Sequence, residues 1–188
     1  IKRAESFSKR PDLEMVKKVN VVVGSFLTQF IIVGMLFTYG VLMTELEKEF
    51  GWSRTILSSI GAAGWLAWGI FAIPGGYLND RLGPKIVLGV NGFIFGIGFI
   101  LFSKSSEVWH LFLIFTFFIG AGLSTHDIST LSTIAKWFES KRGLMTSIAK
   151  IGTAMGQMVM PPLIAFLIIS FGWRMATFYL GIVASIGL

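Results

Sequence analysis

Long apolar runs alternate with short polar stretches along the 188 residues, and this alternation sets the first expectation. A helix needs roughly 20 apolar residues at 1.5 Å each to cross about 30 Å of hydrocarbon. Runs near that length occupy residues 19–43, 55–78, 86–102, 109–135 and 144–170, and a further one opens at 176 and is still apolar at Leu188. Each is predicted to be a transmembrane helix, so the expected fold is an all-α membrane protein. A bundle over 19–188 follows a polar segment at 1–18. The chain opens at Ile1 and stops inside an apolar run, so it is expected to be part of a longer protein.

Composition strengthens this picture, with 54% hydrophobic residues, 18 phenylalanines and a mean hydropathy of +0.75. There is no cysteine, which removes disulfides and thiolate metal sites from consideration. The first twenty residues are charged and lack an apolar core, so no cleavable signal is expected there. A net charge of +6 raises nucleic acid as a partner, but the bases lie at the ends of apolar runs and never gather into a basic domain. They mark sidedness instead. Lys2, Arg3, Lys9, Arg10, Lys17, Lys18, Arg81, Lys85, Lys136, Lys141 and Arg142 share one side, against Lys48, Arg54, Lys104 and Arg174 on the other. The positive-inside rule then puts the N-terminus in the cytoplasm of a cell-membrane protein. Trp52, Trp109 and Trp173 at the outer ends and Trp137 at an inner end suit interfacial anchors.

Lys150 belongs to neither set. It lies about 12 Å inside the fifth run, counted from Arg142 at 1.5 Å per residue. An intramembrane lysine marks a pathway or pairs with an acid, unless its long stem snorkels to the interface. Thr146, Lys150, Thr153 and Gln157 recur at i, i+4, i+7 and i+11, a polar stripe that suits a cavity better than lipid. His126 and Asp127 lie at similar depth in the fourth run. Asp127 either only neutralises Lys150 or, with His126, whose imidazole titrates near neutral pH, accepts a proton during transport. Tyr39 shares a face with Thr28, Ile32 and Met35; its hydroxyl suits a carboxylate ligand and its ring equally suits the interfacial belt. Gly152-x-x-x-Gly156 and Pro161-Pro162 are read as close helix packing and a bend.

One polar connection is distinctive. Gly76-Tyr77-Leu78-Asn79-Asp80-Arg81-Leu82-Gly83-Pro84-Lys85 reads G-x-x-x-D-R-x-G-x-K after a second span, and resembles the loop between helices 2 and 3 of the major facilitator superfamily. The resemblance implies the N-terminal six-helix half of a twelve-helix transporter. Such a half is built from 3+3 inverted repeats, here with the sixth helix cut short, and the C-terminal six-helix half is its missing partner. It also implies a gate in which Asp80, with Gly76, Arg81, Gly83 and Lys85, meets the opposite half in one state and releases it in another. A plain turn carrying positive-inside bases is the competing reading of the same residues. Lys136-Trp137-Phe138-Glu139-Ser140-Lys141-Arg142-Gly143-Leu144, Phe37-Thr38-Tyr39-Gly40-Val41, Phe50-Gly51-Trp52-Ser53-Arg54 and Phe171-Gly172-Trp173-Arg174 resemble the bacterial monocarboxylate transporter and oxalate:formate antiporter group.

That group implies alternating-access transport of a small organic anion, a monocarboxylate or dicarboxylate, by proton coupling or anion exchange. Lys150, Tyr39, His126, Thr153 and Gln157 would then face substrate, with Asp127 and His126 as the charge pair or proton site. A carrier for a sugar or drug is the alternative, and an intramembrane enzyme or a channel stands further off. No His-Glu-x-x-His pair is present, and neither cofactor nor metal is expected.

Overall fold

The computed structural model describes the backbone of residues 2–188 and the side chains of residues 14–188, so the side chains of the lead-in before Glu14 lie outside the described residues. Among the described residues every regular element is a helix. The order is α1 (Lys2–Phe37), α2 (Tyr39–Phe50), α3 (Arg54–Leu82), α4 (Pro84–Phe102), α5 (Val108–Leu113), a π-helical segment (Ile114–Gly120), α6 (Ala121–Leu123), α7 (His126–Trp137) and α8 (Arg142–Gly187). Five stretches are long and apolar enough to cross a membrane: Glu14–Phe50, Arg54–Leu82, Pro84–Phe102, Val108–Trp137 and Arg142–Gly187.

The helices outrun the apolar patches that predict them. The expected loop at 45–54 is helical to Phe50, stapled by Lys48 to Glu45 at 2.7 Å, and only residues 51–53 leave the helix. The expected connection at 76–85 is likewise α3 as far as Leu82. Only Gly83 (φ 85°, ψ 155°) separates it from α4, and Pro84 starts α4 at a position where no N–H is needed. Polarity ends a membrane span without ending its helix. In the fourth span the reverse holds: an apolar stretch contains a π segment and then a turn at Ser124-Thr125.

At 46 residues α8 would be about 69 Å long, more than twice the bilayer core. It folds back on itself at Gly172, whose φ of 80° is open only to glycine without strain. Neighbouring α1 residues meet both arms: a Cβ on Gly156 would lie 2.3 Å from the Phe30 carbonyl, and one on Gly187 would lie 3.3 Å from Ile31. The arm at 142–171 runs parallel to α1, with Gly152 against Phe26 and Gly156 against Phe30 and Gly34. The arm at 173–187 runs antiparallel to α4, with Gly181 and Ser185 against Gly96, and Arg174 reaching Ser103. The fourth span lies parallel to α3, with Gly120 against Gly64 and Thr125 against Gly75.

Lipid tails are as apolar as leucine, so helix association in a bilayer relies on close packing rather than on escape from water. These glycine contacts supply it. Both prolines of Pro161-Pro162 sit within the helix, and Gly172 alone departs from helical φ/ψ. Between the helices lies an aromatic core, in which Phe102 packs on Phe99, Phe115 and Trp173 at 5.8–6.4 Å.

Candidate functional site

The turn at Ser124-Thr125 builds the site. It restarts the fourth span as α7, with His126 and Asp127 in the first turn and the Leu123 carbonyl freed from its usual helical partner. The His126 ring fills that gap, Nδ1 lying 2.6 Å from the Leu123 oxygen. A carbonyl only accepts, so Nδ1 carries the hydrogen, and Nε2 of the neutral ring presents a lone pair. Nε2 faces Asp127 Oδ1 at 3.6 Å. Polar backbone is tolerated at membrane depth only where protein or a cavity satisfies it, and here a side chain does so.

Asp127 is where three helices meet. Its Oδ1 accepts from the Lys150 ammonium on α8 and, at 2.6 Å, from Gln29 Nε2 on α1. Gln29 is fully buried; it also donates to Thr130 Oγ1 at 3.1 Å and accepts from Thr153 Oγ1 at 2.9 Å. His126 is buried as well, whereas the Asp127 and Lys150 side chains remain 35% and 38% exposed. The contacts from Lys150, Gln29 and His126 converge on Oδ1, and no hydrogen bond reaches Oδ2 among the described residues. Lys150 therefore points inward to Asp127, and its pairing follows from the matching depths of the two residues.

The remaining candidates are spread out. Thr153 joins the cluster through Gln29, while Gln157 is half-buried and makes no side-chain hydrogen bond among the described residues. Tyr39 lies apart from Lys150. Only Thr38 lies between α1 and α2, its φ/ψ still helical, so Tyr39 follows Thr28, Ile32 and Met35 in one membrane-length stretch. Its hydroxyl donates to the Leu57 carbonyl at 2.7 Å, and its ring packs 4.4 Å from Phe115. Asp80, Arg81 and Lys85 are exposed at the end of the bundle marked by Gly83, with Arg81 lying over the Tyr77 ring at 4.4 Å and Gly76 near Ile128. Among the described residues no three His, Cys, Asp or Glu side chains converge as metal ligands.

Two features escaped sequence reasoning. Gln29 is a lone amide in an apolar run; its one signal is Ser25 a turn earlier on the same buried face. At the opposite end of the bundle from Gly83, Glu49 takes Trp173 Nε1 on one oxygen and Arg174 Nη2 on the other at 2.9 Å. The same guanidinium donates to the carbonyls of Ser103 and Ser105 at 3.1 and 3.0 Å and stacks on Trp173 at 4.4 Å. This knot joins α2, α4 and the bend of α8.

Similarities to known proteins agree with a carrier. An efflux protein for agnestins from Paecilomyces divaricatus is 31% identical over 185 residues, covering 92% of this chain and 42% of that protein. Monocarboxylate transporter 14 of Mus musculus is 25% identical over 183 residues (96% and 35%). Monocarboxylate transporter 7 of Homo sapiens is 24% identical over 162 residues (86% and 31%). The chain thus spans about a third to two-fifths of the length of these relatives. The family model described as Major Facilitator Superfamily matches residues 25–188, and with it the chain belongs to that superfamily of membrane transporters.

Proposed function

We propose that this chain is the N-terminal half of a secondary carrier that moves a small organic anion by alternating access, with Lys150 binding the anionic group. The observation that carries the reading is the shared carboxylate: Lys150 and Gln29 both donate to one oxygen of Asp127, and the lone pair of His126 Nε2 lies 3.6 Å from it. With a neutral imidazole, the cluster sums to zero charge. An anion arriving alone at Lys150 must compete with Asp127 and leaves a net negative charge in a poorly solvated place. A proton on Asp127 removes that competition and restores neutrality, so anion and proton travel together. Exchange of one anion for another satisfies the same balance without a proton.

The helix pairing supports 3+3 inverted repeats and six spans, counting the two arms of α8 separately. Exchanging spans 1–3 with 4–6 turns the parallel pair of spans 1 and 5 into the parallel pair of 4 and 2, and leaves the pair of 3 and 6 unchanged. The positive-inside count supports a cytoplasmic N-terminus in the cell membrane. Asp80 sits in the last turn of α3, where a helix dipole disfavours a carboxylate. Its exposure there, without an ion-pair partner among the described residues, supports a gating contact with the other half, alongside Gly76, Arg81, Gly83 and Lys85. The group within the superfamily is read as that of the monocarboxylate carriers, bacterial members and oxalate:formate antiporters included.

The test is uptake of labelled monocarboxylates and oxalate by the full-length protein in proteoliposomes. Lys150→Ala should abolish uptake, and wild-type uptake by that variant rejects the site. Asp127→Asn should retain anion exchange but lose accumulation driven by a pH gradient; accumulation at the wild-type level rejects Asp127 as the coupling group.

A further inference from the structure

A notch of about 320 Å³ opens between the beginning of span 1 and the start of span 5, at the end of the bundle marked by Gly83. Met15, Val19 and Val23 of α1 form one wall, and Phe138 and Met145 form the other. Lys18 is the one charged residue in the lining.

Helix register sets the depth of this notch. Gly152 meets Phe26 and Gly156 meets Phe30, so the two parallel helices keep one register. Continued toward their starts, it sets Met15 level with Lys141 and Lys18 level with Leu144. Trp137 is exposed at the same end, where an interfacial anchor belongs. Met15 is nonetheless 63% exposed and Val19 54%, so an uncovered hydrocarbon wall reaches the depth of lipid headgroups.

Bases surround that wall. Lys17 and Lys18 lie on α1, Lys136 precedes Phe138 by two residues, and Lys141 and Arg142 come one turn before Met145; all five are exposed. Glu14 and Glu139 are the acids in these two stretches, and the first turn of α8 has none. Among the described residues no ion pair involves any of the seven. Five bases against two acids leave an unbalanced positive collar around an apolar seat.

We propose that the notch binds one anionic phospholipid, its phosphate among Lys18, Lys141 and Arg142 and the upper part of an acyl chain against Val19, Val23, Phe138 and Met145. Each base near a leaflet surface favours anionic lipid by about 1 kcal/mol, roughly fivefold. A zwitterionic lipid brings no net charge to the collar, and a soluble anion brings no hydrocarbon to the wall. The lipid ties span 1 to the start of span 5 below the last glycine contact, at Gly152. Lys150 lies about 12 Å deeper than Arg142, so this site is separate from the Asp127 cluster and independent of what the carrier moves.

The test is quenching of Trp137 by brominated lipid, with the full-length protein in phosphatidylcholine vesicles. A minor fraction of either phosphatidylglycerol or phosphatidylcholine carries bromine on its upper acyl chain, and the signal missing from Trp137→Phe reports the site. Wild-type Trp137 should favour brominated phosphatidylglycerol at least about fivefold. Lys18→Gln combined with Arg142→Gln should bring the preference to within about twofold. Val19→Phe fills the notch from an exposed position and keeps every base; it should lower the preference at least about threefold. Equal quenching of the wild type by the two lipids overturns the site, and the notch is then covered by unselected bilayer or by the other half of the carrier. A preference unmoved by the double variant overturns it too. One that survives Val19→Phe reduces the bases to a diffuse charged collar, and one abolished by inorganic phosphate makes this a soluble-anion site; either result refutes a seated lipid.

Discussion

Lys150 and Asp127 can be separated on paper into a pair energy and two solvation penalties, and a double-mutant cycle measures the first. The perturbations are Lys150→Met, Asp127→Asn and both together. Two unit charges 4 Å apart attract by about 4 kcal/mol at an effective dielectric constant of 20. Removing one partner of a fully buried pair costs about 3–5 kcal/mol, because the other is left uncompensated. Both side chains here are more than a third exposed, so water reaches them and the cost shrinks. Gln29 still donates to whichever residue stands at 127, and single polar contacts in membrane bundles average about 0.6 kcal/mol. Each single variant should therefore lose about 1–3 kcal/mol, and the double variant should recover about 1–2 kcal/mol of the sum. The assay is thermal unfolding of the detergent-purified full-length protein, with uptake in vesicles measured in parallel. All three variants should fail to accumulate substrate against a pH gradient. Additivity within about 0.5 kcal/mol would refute the reasoning, since uncoupled residues share no interaction.

Other outcomes follow from the packing and the two ends of the bundle. Gly156→Leu drives a side chain into the Phe30 backbone 2.3 Å away, so folded yield should collapse, whereas Gly24→Ala, with nothing within 4 Å, should be neutral or stabilising by up to about 1 kcal/mol; size-exclusion profiles of the two read this directly. Arg174→Met should lower stability by about 1–2 kcal/mol, chiefly by leaving two carbonyls without their donor, since the Glu49 pair is about 40% exposed, and Glu49→Gln by less, as judged by melting in detergent. Asp80→Asn should leave melting unchanged and slow transport at least tenfold, while unaltered transport would reduce this stretch to a simple turn.

The spans and the Asp127–Lys150 contact were both legible, for related reasons. Hydropathy marks where a helix enters and leaves hydrocarbon, and counting residues from that boundary gives depth. Two charges at one depth on adjoining helices then find each other. What stayed hidden depends on rotation and on distant backbone. Gln29 matters only because Gly152 and Gly156 let α8 approach α1, which no local pattern around Gln29 reveals. The turn at Ser124-Thr125 carries neither glycine nor proline, and hydroxyl bonds to carbonyls one turn back, such as Ser124 to Ala121, replace those signals. Tyr39 follows Thr28, Ile32 and Met35 along the first span, but the bond of its hydroxyl to the Leu57 carbonyl depends on where α3 lies, which no local pattern reveals.

The parallel pairing of the first and fifth spans bears on how the chain is made. Residue 26 touches residue 152, so a ribosome adding about 5–20 residues per second emits span 1 roughly 6–25 s before its mate exists. For most of that interval neither Asp127 nor Thr130 has been made, and throughout it the Gln29 amide lacks Thr153. Neighbouring hairpins cannot complete this protein one after another. The first helix must wait until the fifth arrives to meet its packing partner.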